Sequence, residues 1–307
     1  QTPQGCPRYA ARIIKNIKID ESPGWLIRRL EAVGIRPINN IVDITNYVLM
    51  ETGHPLHAFD YDLISGKKII VREAETGESF TTLDDKERNL QKGTVLICDA
   101  EKPVAIGGIM GGLNSEVSHS TKTILLESAY FNPEHIQISS RYLGLSTEAS
   151  QRFERGADPE GNIYALNRAA QLMAELADGE ISKGIIDSYP GKHKIHTVPL
   201  DTKKINNLLG TGLSKKEMTQ ILESIELKVE KDRVSIPSFR PDIEGIADLA
   251  EEVARLYGLE NIVPEPHFQI DYDVNINGLD VFIDRLKNEL CGMGLQEVIT
   301  SSMVRRD

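Results

Sequence analysis

Cysteine is scarce in this 307-residue sequence. The three cysteines, Cys6, Cys98 and Cys291, are odd in number and widely spaced, and no C-x-x-C pair occurs. These features argue against a disulfide framework and against a structural zinc cluster. A reducing cytoplasm is therefore the compartment that the cysteine content favours.

Long apolar runs are also absent from the sequence. No uninterrupted hydrophobic stretch approaches the roughly 20 residues that a helix needs to cross a bilayer. The opening residues QTPQGCPRYA have no signal-peptide pattern. The sequence therefore predicts neither a membrane segment nor a secretory leader.

An excess of basic residues is missing as well. The 35 lysines and arginines are outnumbered by 46 aspartates and glutamates, which gives a formal net charge of −11 at pH 7. Such a charge argues against a domain dedicated to binding polyanions. If nucleic acid is a partner, we expect its main electrostatic contacts to lie elsewhere.

Length and hydrophobic content allow two or three domains, since 40% of the residues are hydrophobic. In residues 1–192, strand-like and helical segments mix without a regular βαβ rhythm, which predicts an α+β fold. Residues 193–266 predict two helices, a hairpin and an acidic helix, an order similar to a winged-helix module. Residues 267–307 predict one amphipathic helix and one strand. Because these are too little for a core, we expect the start of a truncated third domain.

Two helices are predicted near the start of the chain. Ser22 and Pro23 stand in the N-cap and N1 order that opens a helix. Asn39 or Asn40 is expected to cap a second helix, whose apolar residues recur at helical spacing. Gly53 is expected to end that helix.

The segment ETGHPLHAFDYD, residues 51–62, is predicted to be the loop that leaves the second helix. His54 and His57, together with nearby aspartates, have the residue types of a metal site. Pro55 prevents regular helix here, so the spacing fixes no common face for ligands. The pattern by itself favours a turn with two solvated imidazoles, and it leaves a metal site and a catalytic loop open.

The segment GGIMGG, residues 107–112, raises the question of a phosphate cradle. It matches neither G-x-G-x-x-G nor a Walker sequence, and no Lys-Ser or Lys-Thr follows it. The favoured interpretation is a tight passage between strands, at which side chains would clash. Glycine would also let a ligand approach the backbone closely.

Glu127 is an acid within the apolar run ILLESAY. Strand alternation would point it either to solvent or into the protein. A buried carboxylate needs a hydrogen-bond donor, because burial without one is costly. A substrate hydroxyl is one candidate donor.

Four acidic residues, Asp242, Asp248, Glu251 and Glu252, form an acidic cluster. On a helix, Asp248 would lie three and four residues from Glu251 and Glu252, so that their carboxylates share a neighbourhood. The spacing favours a solvated face on which Glu251 pairs with Arg255. The alternative is a hard-cation site that Asp242 completes from the preceding turn.

Several segments occur in an order that resembles one protein family. They are GIRPINNIVDITNYVLMETGHPLHAFD, AIGGIMGG, LLESAYF, LSTEASQRFERGAD and RPDIEGIADLAEEVARLYG. Over most of the chain they resemble the β subunits of bacterial phenylalanyl-tRNA synthetases. The resemblance implies an editing domain, then a winged-helix-like module, then the opening of a catalytic-like domain.

The resemblance also implies a function. In that family the intact enzyme is an α2β2 tetramer that uses ATP and magnesium to attach phenylalanine to tRNA(Phe), and its editing domain hydrolyses tyrosyl-tRNA(Phe). An apolar pocket rejects an isostere with one more hydroxyl by only about 10²-fold, whereas a site that hydrogen-bonds the hydroxyl reaches roughly 10⁴-fold or more. The implied partners are the α subunit and tRNA(Phe). The alternative is a non-catalytic scaffold for α-subunit assembly and tRNA placement.

Individual residues acquire roles from the same resemblance. Glu127 matches the acid that reads the tyrosine hydroxyl. His57, Asn46 and Thr45 match positions at the reacting end, where they would orient the ester or the attacking water. Backbone amides near Gly111 are expected to stabilise the oxyanion. The remaining implied pocket residues are Arg36, Pro55, Gly111, Thr147 and Ala149.

Two further expectations concern metals. His54 stands where we expect glutamine in the family, so we expect a bystander; a metal-dependent hydrolase using both histidines remains a third hypothesis. The acidic cluster matches positions that hold a magnesium ion shared with the α subunit. Because that subunit's ligands are absent here, we expect weak or no magnesium binding by this chain alone.

Overall fold

Antiparallel sheets and helices are combined in this protein. The computed structural model describes residues 2–264 and 277–302. The chain divides into two compact units, Gln1–Ile262 and Val263–Asp307. The mixture of elements in the first unit confirms the predicted α+β fold. Among the described residues, no helix combines the length and hydrophobicity needed to span a membrane.

The elements are mostly short strands and helices of two to four turns. The strands are β1 (Arg8–Lys15), β2 (Leu56–Asp60), β3 (Ile70–Glu73), β4 (Ser79–Thr81), β5 (Glu87–Asn89), β6 (Val95–Cys98), β7 (Pro103–Ile106), β8 (Met110–Gly111), β9 (Ile124–Tyr130), β10 (Glu180–Ile181), β11 (Ile186–Ser188), β12 (His196–Pro199), β13 (Lys228–Glu230) and β14 (Arg233–Ile236). The helices are α1 (Gly24–Ala32), α2 (Asn40–Thr52), α3 (Pro133–Leu143), α4 (Glu148–Glu154), α5 (Asn162–Leu176), α6 (Thr202–Leu209), α7 (Lys215–Glu223), α8 (Ile246–Tyr257) and α9 (Gly278–Gly292).

The largest sheet organises the first part of the chain. Its strands lie in the order β10-β1-β9-β2, with β11 also paired to β1, and all these pairings are antiparallel. Strand β1 pairs with β9 along nearly its whole length, from Arg8 opposite Tyr130 to Ile14 opposite Ile124. Strand β1 is missing from the predicted elements, because three basic residues interrupt the apolar positions of RYAARIIK.

Helices cover one face of this sheet. Helices α1, α2 and α5 pack there around a core that includes Ala10 of β1 and Leu126 of β9. Because side chains alternate between the faces of a strand, the neighbouring residues Ala11 and Glu127 point to the opposite face. The two faces therefore carry two separate cores.

The ends of the first two helices test the predicted caps. Asn39 caps α2 with its side chain, and Gly53 ends the helix with φ 72°, as predicted. The predicted cap of α1 is wrong, because the helix begins at Gly24 with Pro23 at the N-cap position. The hydroxyl of Ser22 donates instead to Asp43 Oδ2 at 2.6 Å.

The other face of the large sheet packs against a second sheet and two helices. The second sheet has the order β3-β6-β7-β8, and β4 and β5 form a separate hairpin. Helices α3 and α4 complete this layer. The shared core includes Phe59, Leu96, Ile106, Leu125, Phe131 and Phe153. The candidate site lies in this layer.

Residues 196–257 form a small sheet with three helices. Its strands lie in the order β12-β14-β13, and α6, α7 and α8 pack against them. The hairpin turns at Lys231 with φ 56°, and Ser214 and Glu217 form a capping box at the start of α7. Strand β12 precedes the helices of this module and pairs with β14, an element that the predicted order of two helices, a hairpin and an acidic helix does not contain.

The second unit is described for residues 277–302. Helix α9 confirms the helix predicted there. The strand predicted after it is wrong for the described part, because residues 295–300 adopt no regular structure. The predicted domain boundary at residue 266 lies outside the described residues, and the three-domain division remains a prediction.

Candidate functional site

A row of three side chains crosses the face of the large sheet that carries the second sheet. Ala11 on β1, Glu127 on β9 and His57 on β2 lie directly opposite one another in the strand register. Directly opposed residues of antiparallel strands have Cβ atoms about 4.5–5.5 Å apart, so Glu127 and His57 are immediate neighbours. Strand pairing thus joins two residues that are 70 positions apart in the sequence.

Glu127 faces into the protein. Only 6% of the residue is exposed, and its Oε2 has no hydrogen-bond partner of good geometry. Burial raises the pKa of the carboxyl to about 7, and the hydroxyl of Tyr9 partly opposes this change because it favours the charged form. The prediction that Glu127 points into the protein rather than to solvent is confirmed. Its Oε2 therefore needs a hydrogen-bond donor.

His57 lies on strand β2 rather than in a loop. Its imidazole meets the ring of Phe59 edge-on, with the centroids 4.4 Å apart, and part of the residue still reaches the surface. Burial lowers the pKa of His57 to about 4, so its ring is neutral at pH 7. The prediction of two solvated imidazoles in a turn is wrong, because β2 begins at Leu56 and carries His57 into the sheet.

Gly111 on β8 closes against this histidine. A Cβ added to Gly111 would lie 2.6 Å from Cε1 and 2.8 Å from Nε2 of His57, closer than real Cβ atoms approach. A Cβ added to Gly107 or Gly108 would lie 2.7 Å or 2.8 Å from the ring of Phe131. The GGIMGG segment is therefore a tight passage between β7 and β8, as the sequence favoured.

Thr147 ties the glycine segment to helix α4. As the N-cap of that helix it accepts a hydrogen bond from the amide of Ser150 at 3.1 Å. Its Oγ1 also donates to the carbonyl of Ile109 at 2.9 Å. This link holds Ala149, in the first turn of the helix, against the glycine segment, because Thr147 joins both.

A cavity of about 70 Å³ lies between β2, β8, β9 and α4. Its lining includes five of the predicted site residues, namely Pro55, His57, Gly111, Glu127 and Ala149. Ligand pockets usually measure about 300–1,000 Å³, so a ring-sized group enters only if the walls open. Met110 is one of those walls, and its flexible side chain is suited to such a movement.

Four of the predicted residues do not line this cavity, and one of them, Thr147, instead binds the Ile109 carbonyl beside it. Thr45 and Asn46 lie on α2, which packs on the helical face of the sheet, and the hydroxyl of Thr45 donates to the Val42 carbonyl at 2.7 Å. Arg36 is exposed in the segment between α1 and α2. The roles proposed for these residues therefore remain predictions.

Several residues at the site were missed. Phe131 and Phe153 line the cavity, with their rings edge-on and the centroids 5.1 Å apart. Tyr9 lies beside Glu127 and comes from the unpredicted strand β1. The paired isoleucines of RYAARIIK were the only local sign of a strand there.

Known proteins resemble this chain along most of its length. Residues 5–178 match the B3/4 domain, and residues 198–259 match the tRNA synthetase B5 domain. A phenylalanine–tRNA ligase beta subunit from Geobacter metallireducens is 51% identical over 307 residues, covering 97% of this chain and 38% of that protein. One from Syntrophus aciditrophicus is 48% identical over 310 residues, covering 98% and 39%. The chain belongs to the phenylalanine–tRNA ligase beta-subunit family.

The chain spans about two fifths of the length of these relatives. Among solved structures, it is similar to an N-terminal fragment of the phenylalanyl-tRNA synthetase beta-subunit from Pyrococcus horikoshii, at 19% sequence identity and a TM-score of 0.40. That match covers 83% of this chain and 72% of the other. The cavity of His57 and Glu127 lies within the B3/4 domain, and the acidic cluster lies within the B5 domain.

His54 is the other histidine of the opening segment, and it lies apart from the cavity in the B3/4 domain. It is 2% exposed, neither ring nitrogen has a hydrogen bond of good geometry, and its ring meets Phe153 edge-on. Burial lowers the pKa of His54 to about 4. Within residues 2–264 and 277–302, no three histidine, cysteine or acidic residues are grouped so as to hold a metal.

Two arginines form ion pairs with members of the acidic cluster in the B5 domain. The Arg240 guanidinium lies 2.6 Å from Asp242 Oδ2 and 2.8 Å from Glu252 Oε1. It holds the pKa of Asp242 below its ordinary value. Arg255 contacts Glu252 at 2.6 Å, so the predicted pair of Arg255 with Glu251 is wrong. Glu251 is exposed.

Asp248, another member of the acidic cluster, caps the start of helix α8 instead of binding an arginine. Its Oδ2 accepts hydrogen bonds from the amides of Glu244 at 2.9 Å and Gly245 at 2.8 Å, at the start of α8. Asp242 and Glu252 share Arg240, whereas Asp248 accepts backbone amides and Glu251 is exposed, so the four carboxylates do not converge on one point. As placed, these side chains do not fit a magnesium ion, because arginine and backbone donors take the oxygens that would bind it.

Proposed function

We propose that this chain carries the editing site of a phenylalanine–tRNA ligase, which hydrolyses tyrosyl-tRNA(Phe). The pairing of His57 with Glu127 across β2 and β9, at the wall of one cavity, supports the proposal most strongly. A filled core at this position would have favoured a scaffold instead. The intact α2β2 ligase, with its α subunit and tRNA(Phe), is the proposed setting.

Glu127 is suited to recognise the substrate hydroxyl. Its buried Oε2 has no partner of good geometry, and the phenol of a bound tyrosyl group would supply a donor. A phenylalanyl group has no donor, so it would bring no hydrogen bond to the carboxyl that it buries. Such a mismatch discriminates between substrates by roughly 10⁴-fold or more.

His57 is suited to orient the reacting groups. With a pKa of about 4 it is neutral at pH 7, so a ring nitrogen can accept a hydrogen bond from the attacking water. Such a low pKa makes it a weak base, and we assign it orientation of the water or ester. The substrate's ribose hydroxyl or amine would then assist proton transfer.

Two of the backbone amides near Gly111 are not free to stabilise the oxyanion. The amide of Gly112 donates to the Val104 carbonyl at 2.9 Å, and that of Gly107 donates to Val95 at 2.8 Å. Both amides are therefore engaged in the fold. Magnesium has no step in this proposal, because Arg240 holds the carboxylates that would bind it.

The decisive experiment measures deacylation of tyrosyl-tRNA(Phe) and phenylalanyl-tRNA(Phe) by the intact heterotetramer. The parent is compared with Glu127→Ala and with Glu87→Ala, a control at an exposed glutamate. We expect Glu127→Ala to lose tyrosyl hydrolysis selectively and Glu87→Ala to retain it. Equal, slow hydrolysis of both esters by all three proteins would leave the scaffold for α-subunit assembly and tRNA placement.

A further inference from the structure

Tyr9 lies beside Glu127 on the same face of the large sheet. Ala11 is directly opposite Glu127, and Tyr9 is opposite Ala129, so Tyr9 is the diagonal neighbour of the acid. Diagonal neighbours are about 7–8 Å apart at the backbone, within reach of an aromatic side chain. Because Ala11 is small, it leaves room for the phenol of Tyr9 over the carboxyl.

Both polar groups of this pair are otherwise unsatisfied. Tyr9 is 8% exposed, and neither its Oη nor the Oε2 of Glu127 has a hydrogen-bond partner of good geometry. A buried hydroxyl and a buried carboxyl oxygen that remain unpaired each destabilise the fold, whereas pairing them with each other removes both costs.

The other titratable groups that face Glu127 are accounted for. His57 faces it from β2. Cys6 lies just before β1, and its thiol donates to the Arg8 carbonyl at 3.4 Å. The glycine segment and α4, which form the remaining walls, contribute no titratable side chain to the cavity. Tyr9 is thus the hydroxyl donor that the fold provides for this acid.

We infer that Tyr9 is a positioning residue that holds the Glu127 carboxylate through its phenol, so that the remaining lone pairs accept the hydroxyl of the bound tyrosyl group. A carboxylate has about four lone-pair sites and can accept from both phenols at once. The inference rests on the proposed editing function. It adds a specificity-determining side chain outside the segments that mark the family in the sequence.

The Tyr9 phenol also affects the charge of the site. Burial raises the pKa of Glu127 to about 7, and the Tyr9 hydroxyl works in the opposite direction. Without that hydroxyl the acid would remain protonated to a higher pH. The protonated acid is a donor as well as an acceptor, so it no longer distinguishes a phenol by accepting alone.

The test uses Tyr9→Phe, with Tyr61→Phe as the matched control. Tyr9 and Tyr61 both line a second cavity of about 650 Å³, but Tyr61 does not line the cavity of Glu127. In the intact tetramer, we expect Tyr9→Phe to lower the preference for the tyrosyl ester about tenfold at pH 7, with recovery at higher pH. Tyr61→Phe should behave as the parent.

A second readout does not depend on editing. The titration of Glu127, followed by carbon NMR of labelled glutamate in this chain, should move to higher pH in Tyr9→Phe and stay in place in Tyr61→Phe. An unmoved titration with unchanged preference would overturn the role of Tyr9, even where Glu127→Ala abolishes tyrosyl hydrolysis. A moved titration in a protein with no preference for the tyrosyl ester would refute the editing function, and with it the specificity role.

Discussion

Gly111 and His57 are in such close contact that no side chain fits between them. A Cβ on Gly111 would lie 2.6 Å from Cε1 of His57 and 3.0 Å from Cδ1 of Leu83. The backbone of β8 therefore acts as one wall of the cavity and fixes the plane of the imidazole. The site therefore requires glycine at position 111, the fifth residue of GGIMGG.

The first prediction concerns Gly111→Ala. The added methyl must push the imidazole away or shift β8, and overpacking of this kind destabilises by about 1–3 kcal/mol. We expect deacylation of tyrosyl-tRNA(Phe) to fall by roughly 10²-fold, because displacing an orienting group by 1 Å has that effect. Urea unfolding and single-turnover deacylation measure the two quantities.

The matched control for this variant is Gly212→Ala. Gly212 has nothing within 4 Å of an added Cβ, so the substitution should leave both stability and deacylation near the parent values. Full activity in Gly111→Ala would mean that the position of His57 is unimportant for the reaction.

The second prediction separates orientation from proton abstraction at His57. His57→Ala should reduce tyrosyl deacylation by roughly 10²-fold, because the water or ester loses an orienting partner. Since the pKa of His57 is about 4, the histidine should contribute no titration to the rate between pH 6 and 8. The rate profiles of parent and variant are compared, with the exposed His119→Ala as control. A titration near pH 6.5 that disappears in His57→Ala would identify a general base instead.

Local patterns were enough to predict much of this fold. The side-chain cap at Asn39 and the glycine end at Gly53 depend on neighbouring residues, and both are found where the sequence placed them. The Ser214–Glu217 capping box is equally local. Ser22 failed as a cap because Asp43, 21 residues away, binds its hydroxyl, and no local pattern contains that partner.

The candidate site itself depends on long-range pairing. Neither apolar alternation nor spacing could show that Glu127 lies between Ala11 and His57, since three strands from distant parts of the chain meet there. The resemblance to a family supplied the residues, and the strand register supplied their geometry. The acidic cluster was also beyond prediction from spacing. Its acids have the spacing of metal ligands, but Arg240 forms ion pairs with Asp242 and Glu252.

The third prediction is a pH dependence of stability. The pKa of Glu127 is about 7 in the folded chain against 4.5 ordinarily, so its contribution to stability is fully present below pH 4.5 and is lost as the pH rises through 7. Glu127→Gln has no titrating carboxyl and therefore avoids this loss. As the pH rises from 4.5 to 8, we expect the free energy of unfolding of the variant to increase relative to that of the parent by on the order of 2–3 kcal/mol.

His57 contributes in the opposite direction, and the two effects can be separated. Its folded pKa is about 4 against 6.5 ordinarily, so its contribution is present above pH 6.5 and is lost as the pH falls towards 4. Urea titrations of parent, Glu127→Gln and the exposed control Glu87→Gln at pH 5, 6.5 and 8 resolve the acid's share. If the free energy of unfolding changed with pH in the same way in all three proteins, the pKa of Glu127 would not be raised in the folded chain.

The fourth prediction concerns Arg240 and magnesium. Glu252 is 8% exposed and is held by Arg240 and Arg255. Removing one partner from a buried carboxylate is destabilising, and we expect Arg240→Ala to lower the free energy of unfolding by about 2 kcal/mol. In the parent, added magnesium should leave the melting temperature unchanged, because Arg240 occupies the carboxylates. In the variant, the ion should raise it, because Asp242 and Glu252 become available as oxygen ligands.

The control for this experiment is Arg285→Ala, which removes an exposed pair with Glu289. Exposed pairs contribute about 0–1 kcal/mol, so little change is expected with or without magnesium. Thermal melts at several magnesium concentrations distinguish the three proteins. If magnesium stabilised the parent as much as Arg240→Ala, the acidic cluster would bind the ion with its arginine in place, and Arg240 would be a neighbour of the metal rather than its substitute.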